Sequence, residues 1–139
     1  MAEDCIARIT AQPLSPEAVV QQAKTNDSGC VVTYVGLIRD ESCGKAVKSV
    51  EYTDPDGKAQ GRLGEIANDI KQKYPVNKVV IYHRTGVLRV GDINLVVAIA
   101  AAHRGEGFGA SQYAIDLFKE KLPTGKIETY VDGTTWTGE

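Results

Sequence analysis

The chain has 139 residues, 42% apolar and 24% charged, which is the size and make-up of one globular domain over residues 1–139 able to bury a real core. Its net charge of -2 excludes a general attraction to nucleic acid or anionic membrane, so anion binding would need a local cluster of cations. The longest apolar run, "INLVVAIAAA", is about half of what a bilayer-spanning helix needs.

The N-terminus "MAEDCIARIT" has neither a basic n-region nor an apolar h-region, and Cys5, Cys30 and Cys43 are an odd number without C-x-x-C spacing. A reduced, cytoplasmic protein is expected. "CIARIT" alternates like a short strand, and "LSPEAVVQQAKTNDSG" follows as a helix with Ser15 at the N-cap, Pro16 at the first helical position and Gly29 just past the end. "CVVTYVGLIRD" reads as a central strand, "ESCGKA" as a polar loop and "VKSVEYT" as the antiparallel return, which puts Arg39 at a strand end. Cys5 and Cys30 then serve as small buried hydrophobes, while Cys43 sits in the loop without a nearby base.

Asp54 can cap and Pro55 open a second helix that reaches Tyr74, with Leu63, Ile66, Ala67 and Ile70 on one face. Three strands follow in "KVVIYHRTG", "GVLRVGD" and "INLVVAIAAA", the last apolar enough to be buried on both faces. A third helix after "AHRGEGFGA" runs to about Leu122, with Phe108, Ser111, Ile115, Phe118 and Leu122 as its inward stripe. Pro123 ends it, and "KIETYVDG" can form a last strand. The predicted order is β-α-β-β-α-β-β-β-α-β. This is an α+β fold with three helices on a mostly antiparallel sheet.

His103-Arg104, where a buried strand gives way to glycines and a helix N-terminus, is the strongest local signal. Backbone N–H groups favour an anion there and arginine adds a bidentate fork, although the pair could equally end a strand and meet solvent. "GEGFGA" lacks dinucleotide-fingerprint spacing, and "TGK" follows a helix instead of preceding one, so nicotinamide and Walker-type sites are excluded. His83 and His103 are the only histidines and form no metal-ligand pattern; no metal and no cofactor is expected. His83 reads as a packing or hydrogen-bonding residue of a strand face, and Asp92 as a turn residue. Lys119 lies on the edge of the third helix's inward stripe, where its stem can follow apolar surface and its amine can reach either a cleft or water. Lys126, beyond the Pro-Thr-Gly break, is open in the same way.

Taken together, "YVGLIRD", "VEY", "IYHRTGVLRVGD", "AAHRGEGFGASQYAIDLFKEKLP", "KIE" and "DGTTW" resemble the large, catalytic subunit of molybdopterin synthase over nearly the whole chain. The resemblance implies an α/β-hammerhead-like fold with a small β subdomain. It also implies a homodimer in which each chain holds a small ubiquitin-like sulfur-carrier subunit with a Gly-Gly C-terminus, giving a heterotetramer. The implied reaction converts cyclic pyranopterin monophosphate into the dithiolene molybdopterin with sulfur from that subunit's thiocarboxylate. Carried onto this sequence, the substrate-contact positions fall on Leu37, Ile38, Arg39, His103, Arg104, Lys119, Lys126, Ile127 and Glu128. Arg39, His103 and Arg104 would bind phosphate or pterin oxygens. Lys119 would transfer protons and Lys126 assist, the amine that transfers protons needing a pocket that lowers its pKa. Such chemistry requires no cysteine here, since the sulfur arrives on the partner's tail.

The sequence departs from the family's pattern in three places. Gly125 stands where an aromatic residue commonly precedes the second lysine, Tyr34 stands where Phe is frequent, and "YTDPDGKAQ" replaces a Y-x-x-M-A segment. Gly125 favours an alternative reading, a non-catalytic paralogue that binds a phosphorylated pterin or a ubiquitin-like partner.

Overall fold

A computed structural model describes residues 4–138. In chain order the elements are β1 (Cys5–Thr10), α1 (Pro16–Ala23), β2 (Cys30–Leu37), β3 (Glu41–Ser42), β4 (Lys45–Thr53), α2 (Ala59–Lys73), β5 (Lys78–Arg84), β6 (Gly86–Arg89), β7 (Ile93–Ala101), α3 (Arg104–Glu120), β8 (Gly125–Tyr130) and β9 (Thr135–Gly138). Two sheets carry the chain. The first has the order β1-β5-β7-β2, parallel at β1/β5 and antiparallel elsewhere. The second is antiparallel, ordered β3-β4-β8-β9, with β6 also pairing β4.

The apolar run of β7 has the predicted cause. Val96 and Ala98 face α1, where Val19, Ala23 and Val80 complete one cluster. Leu95, Val97, Ile99 and Ala101 face the opposite way, onto Leu63, Ile66 and Ile70 of α2 and Ala110, Ala114, Leu117 and Phe118 of α3. From Leu95 to Ala101 the strand is covered on both faces and carries no polar side chain. A third cluster, Ile38, Val47, Val50, Tyr52, Leu88 and Tyr130, holds the second sheet. The α+β, hammerhead-like class expected from the sequence is the class observed, with three helices and mixed sheets.

Element ends differ from the expectation where side chains compete for the backbone. α1 is capped by Ser15, whose Oγ accepts from the Ala18 N–H at 3.2 Å, but it stops at Ala23 and not near Gly29. The Thr-Asn-Asp-Ser run beyond it forms a turn, closed by the Ser28 N–H on the Thr25 carbonyl at 3.2 Å. α2 begins at Ala59, not Pro55, because Asp54-Pro55-Asp56-Gly57 makes a turn in which the Asp54 carboxylate accepts from the Ala59 N–H at 3.1 Å. "ESCGKA" is a hairpin, not a loop: Cys43 and Gly44, at φ 53° and 78°, form the two-residue turn between β3 and β4. The last strand is followed by a further one, β9, absent from the predicted order.

α3 departs most. It starts at Arg104, so the glycine run lies inside the helix instead of before it, and its buried residues are Gly107, Ala110, Ala114, Leu117 and Phe118. The expected stripe through Phe108, Ser111 and Ile115 is turned aside, and Phe108 is 60% exposed. Small residues decide this, because they let the helix axis approach the sheet; a Cβ at Gly107 would lie 2.9 Å from Val32 Cγ2. Cys5 and Cys30 are half-buried, each thiol set against a backbone carbonyl, and Cys43 is exposed. No helix among the described residues is long and apolar enough to cross a membrane.

Replacing Leu117 by Ala should cost about 2–4 kcal/mol in urea unfolding, whereas Ile115→Ala, at a half-buried position of the same helix, should cost less than half as much.

Candidate active site

A cavity of about 590 Å³ lies between the two sheets and the C-terminal end of α3. Its charged lining consists of Arg39, Lys119 and Lys126 with Glu41 and Glu128; Tyr34, Tyr52, Phe118, Leu122 and Trp136 form much of the rest.

Each cation is placed by a different element. β2 ends in a bulge after Gly36, and Ile38 is then clamped to the β6–β7 turn: its N–H donates to the Asp92 carbonyl at 3.0 Å and its carbonyl accepts from the Gly91 N–H at 2.9 Å. Ile38 is buried, Leu37 is 57% exposed, and Arg39 projects just beyond them. Asp92 is the turn residue expected, with its carboxylate accepting from the Arg89 N–H at 2.9 Å. Lys119 sits in the last turn of α3 next to buried Phe118, where a cation is favoured by the helix dipole. Lys126 comes from β8, opposite Tyr52 of β4.

The register of β8 sorts its residues between two faces. Lys126 and Glu128 share the cavity face, while Gly125 and Ile127 point to the other. Ile127 therefore does not line the cavity. A Cβ built at Gly125 would collide with Thr53 Oγ1, on the face away from Lys126. The missing aromatic side chain at this position thus takes nothing from the cavity wall. His103 and Arg104 are also outside the cavity: both are exposed at the N-terminus of α3, about 22 Å along the helix from Lys119.

The two lysines have unlike surroundings. Lys126 Nζ lies 3.3 Å from Glu128 Oε2, and the Tyr130 hydroxyl donates to Glu128 Oε1 at 2.7 Å. Burial raises the Glu128 carboxyl, but hydrogen bonds from Tyr130 and Ser42 and the charge of Lys126 outweigh it, holding the group below the usual carboxylate range. The hydrogen bond to Glu128, followed by burial, pushes the Tyr130 phenol up to about 12. Lys119 is exposed and makes no ion pair with a described residue. The arrangement offers an anion three cations, one of them held by a carboxylate and one free to move.

Beneath the cavity, His83 is fully buried with Tyr52 and Phe118 packed edge-on at 4.7 and 5.0 Å. Its Nδ1 is 2.8 Å from the Asn94 carbonyl, which can only accept, so Nδ1 carries the proton and Nε2 accepts from the Thr124 hydroxyl at 3.0 Å. Thr124, itself buried, is the middle of the Pro-Thr-Gly break between the two lysines. Asn94 also donates to the Tyr52 hydroxyl at 2.9 Å. His83 has the packing and hydrogen-bonding part expected of it. Asn94, Tyr52, Ser42 and Trp136 were not foreseen as cavity residues, because only the pairing of distant strands brings them there.

The MoaE protein family model matches residues 9–121 of this chain. The chain belongs to the MoaE protein family. It is 43% identical over 136 residues to a molybdopterin synthase catalytic subunit from Nostoc sp., covering 96% of this chain and 82% of that protein. It is 35% identical to the human molybdopterin synthase catalytic subunit, covering 96% and 71%. Among solved structures, the X-ray crystal structure of molybdopterin synthase from Staphylococcus aureus superposes with a TM-score of 0.85 at 29% identity, over 100% of this chain and 99% of that one. As a MoaE protein, this chain is similar throughout its length to the catalytic subunits of an enzyme. Its cavity is accordingly where chemistry is to be sought.

Burial pushes the His83 imidazole from 6.5 down to about 4, only partly offset by the Asn94 hydrogen bond. The fold therefore favours the neutral ring. The stability this gives is present above pH 6.5 and is lost as pH falls toward about 4, some 3 kcal/mol in all. Chemical denaturation at stepped pH should show that loss in the wild type, and His83→Gln should flatten this part of the profile.

Proposed function

We propose that this chain is a molybdopterin synthase catalytic subunit, a sulfurtransferase acting in the cytoplasm on cyclic pyranopterin monophosphate. Its sulfur source is the thiocarboxylated Gly-Gly terminus of a small ubiquitin-like subunit. The observation that carries this reading is the meeting of Arg39, Lys119 and Lys126 in one cavity. A strand end, a helix end and a second strand supply them, so local sequence proximity does not account for it.

The substrate's phosphate and pterin oxygens would be held by Arg39 and by Lys126, the latter fixed by Glu128 and Tyr130. The thiocarboxylate sulfur attacks a substrate carbon and takes the place of that carbon's oxygen substituent, whose C–O bond breaks and whose oxygen leaves with a proton from Lys119. The resulting thioester between tail and substrate is then cleaved by water, which leaves sulfur on the pterin and carboxylate on the tail. Two rounds give the dithiolene. Lys119, without an ion-pair partner among the described residues, is the group to move protons and to stabilise the developing oxyanion.

His103 and Arg104 join this site only if a second copy of the chain supplies them. The length of α3 separates them from their own Lys119. The functional unit is then a homodimer, with one sulfur carrier for each chain. Gly125 gives no support to the non-catalytic paralogue, since its position faces Thr53 and not the cavity.

Mixing the protein with a thiocarboxylated small subunit and cyclic pyranopterin monophosphate should yield dithiolene product. Lys119→Ala should lower its rate at least about 100-fold, and Lys126→Ala should act more on KM than on kcat. No product from the wild type with a competent partner would move the reading to a binding protein. Co-folding Lys119→Ala with Arg104→Ala chains should restore part of the activity that each variant lacks alone; no recovery would place Arg104 outside the site.

A further inference from the structure

Trp136 is the only tryptophan of the chain. It lies on β9 opposite Glu128 and lines the same cavity face as Lys126 and Glu128. Its six-membered ring lies over Gly138, where any Cβ would fall within the ring's own volume. Gly138 in turn pairs with Lys126 across the two strands, so the indole rests on bare backbone at the level of that residue. The ring is nevertheless 49% exposed, whereas the aromatic side chains deeper in the cavity wall, Tyr52 and Phe118, are both 5% exposed.

Leaving half of an indole in water at the mouth of a cavity forgoes burial that the fold could have used. A ring so placed offers what the cations cannot, an apolar, polarisable surface for a flat heteroaromatic ligand. Arg39, Lys119 and Lys126 recognise negative charge and oxygen atoms, and would take inorganic phosphate as readily as a phosphorylated pterin. Only a stacking surface tells the two apart.

We propose that Trp136 is a substrate-recognition residue, the platform on which the pterin ring stacks while the cations hold the phosphate. The proposal rests on the reading of the substrate as a phosphorylated pterin. It assigns Gly138 a part as well, since only glycine at 138 leaves the strand surface free for the indole.

Equilibrium dialysis of wild-type, Trp136→Phe and Trp136→Ala proteins against neopterin monophosphate, with inorganic phosphate as a competitor in a second series, tests this. Trp136→Ala should weaken the pterin phosphate about tenfold or more, leave the apparent affinity for inorganic phosphate unchanged and keep the melting temperature of the wild type. Trp136→Phe should stay within about threefold of the wild type. Gly138→Val, which displaces the ring without removing it, should follow Trp136→Ala. Equal binding of the pterin phosphate by wild-type and Trp136→Ala proteins overturns the platform and leaves the synthase reading standing. An equal loss of pterin phosphate and inorganic phosphate also overturns it, because that would mark a general structural role. A wild type that binds inorganic phosphate but shows no preference for the pterin phosphate overturns both.

Discussion

The hydrogen bond between the Thr124 hydroxyl and the buried imidazole of His83 ties the break between α3 and β8 to the middle of the first sheet. Lys119 lies before that break and Lys126 after it, so their separation depends on where Thr124 is held. His83 is in turn oriented by the Asn94 carbonyl and wedged between Tyr52 and Phe118, and those two rings are part of the cavity wall. One neutral, buried side chain thus joins the core of the first sheet, the turn that carries the lysines and the surface that meets a ligand. A charged imidazole in that place would have to be desolvated among aromatic rings, which is why the neutral form is the one compatible with the fold.

Charge in the cavity is graded by the number of partners each group has. Glu128 is saturated by Tyr130, Ser42 and Lys126, and so stays ionised although almost wholly buried. Lys126 is thereby a fixed cation. Lys119 has no such anchor among the described residues and sits at the end of a helix whose last turn welcomes positive charge. The fold supplies one stationary and one adaptable amine within a single cavity. That combination suits a reaction in which an anion must be held while protons move nearby.

Small residues at close approaches had a larger part than their chemistry suggests. Gly107 and the alanines of α3 decide which face of that helix meets the sheet, and so leave Phe108 outside. A pattern of apolar residues misleads here because a bulky side chain is not always the one that packs; a helix pressed close to a sheet buries glycine and alanine instead. Gly125 is a similar case. It looked like a gap in the cavity wall, but strand alternation turns the position toward Thr53.

The sequence by itself determined the α+β class, the two-faced burial of β7, the turn at Asp92 and the Ser15 cap, and through family likeness it singled out Arg39, Lys119 and Lys126, three cations that line one cavity. Caps, alternation and continuous apolar runs are local, and local physics is written in consecutive residues. Tertiary structure alone decided that Lys126 and Glu128 face the cavity while Ile127 does not, and that His103 and Arg104 stand a helix length away from their own chain's lysines. It also brought Tyr52, Asn94 and Trp136 into the site. The distance of His103 and Arg104 is the length of α3, and Asn94 comes in on β7. The facing of Lys126, Glu128 and Ile127 and the places of Tyr52 and Trp136 follow from the register between β4, β8 and β9, and register is set by pairing between segments that lie far apart in the chain.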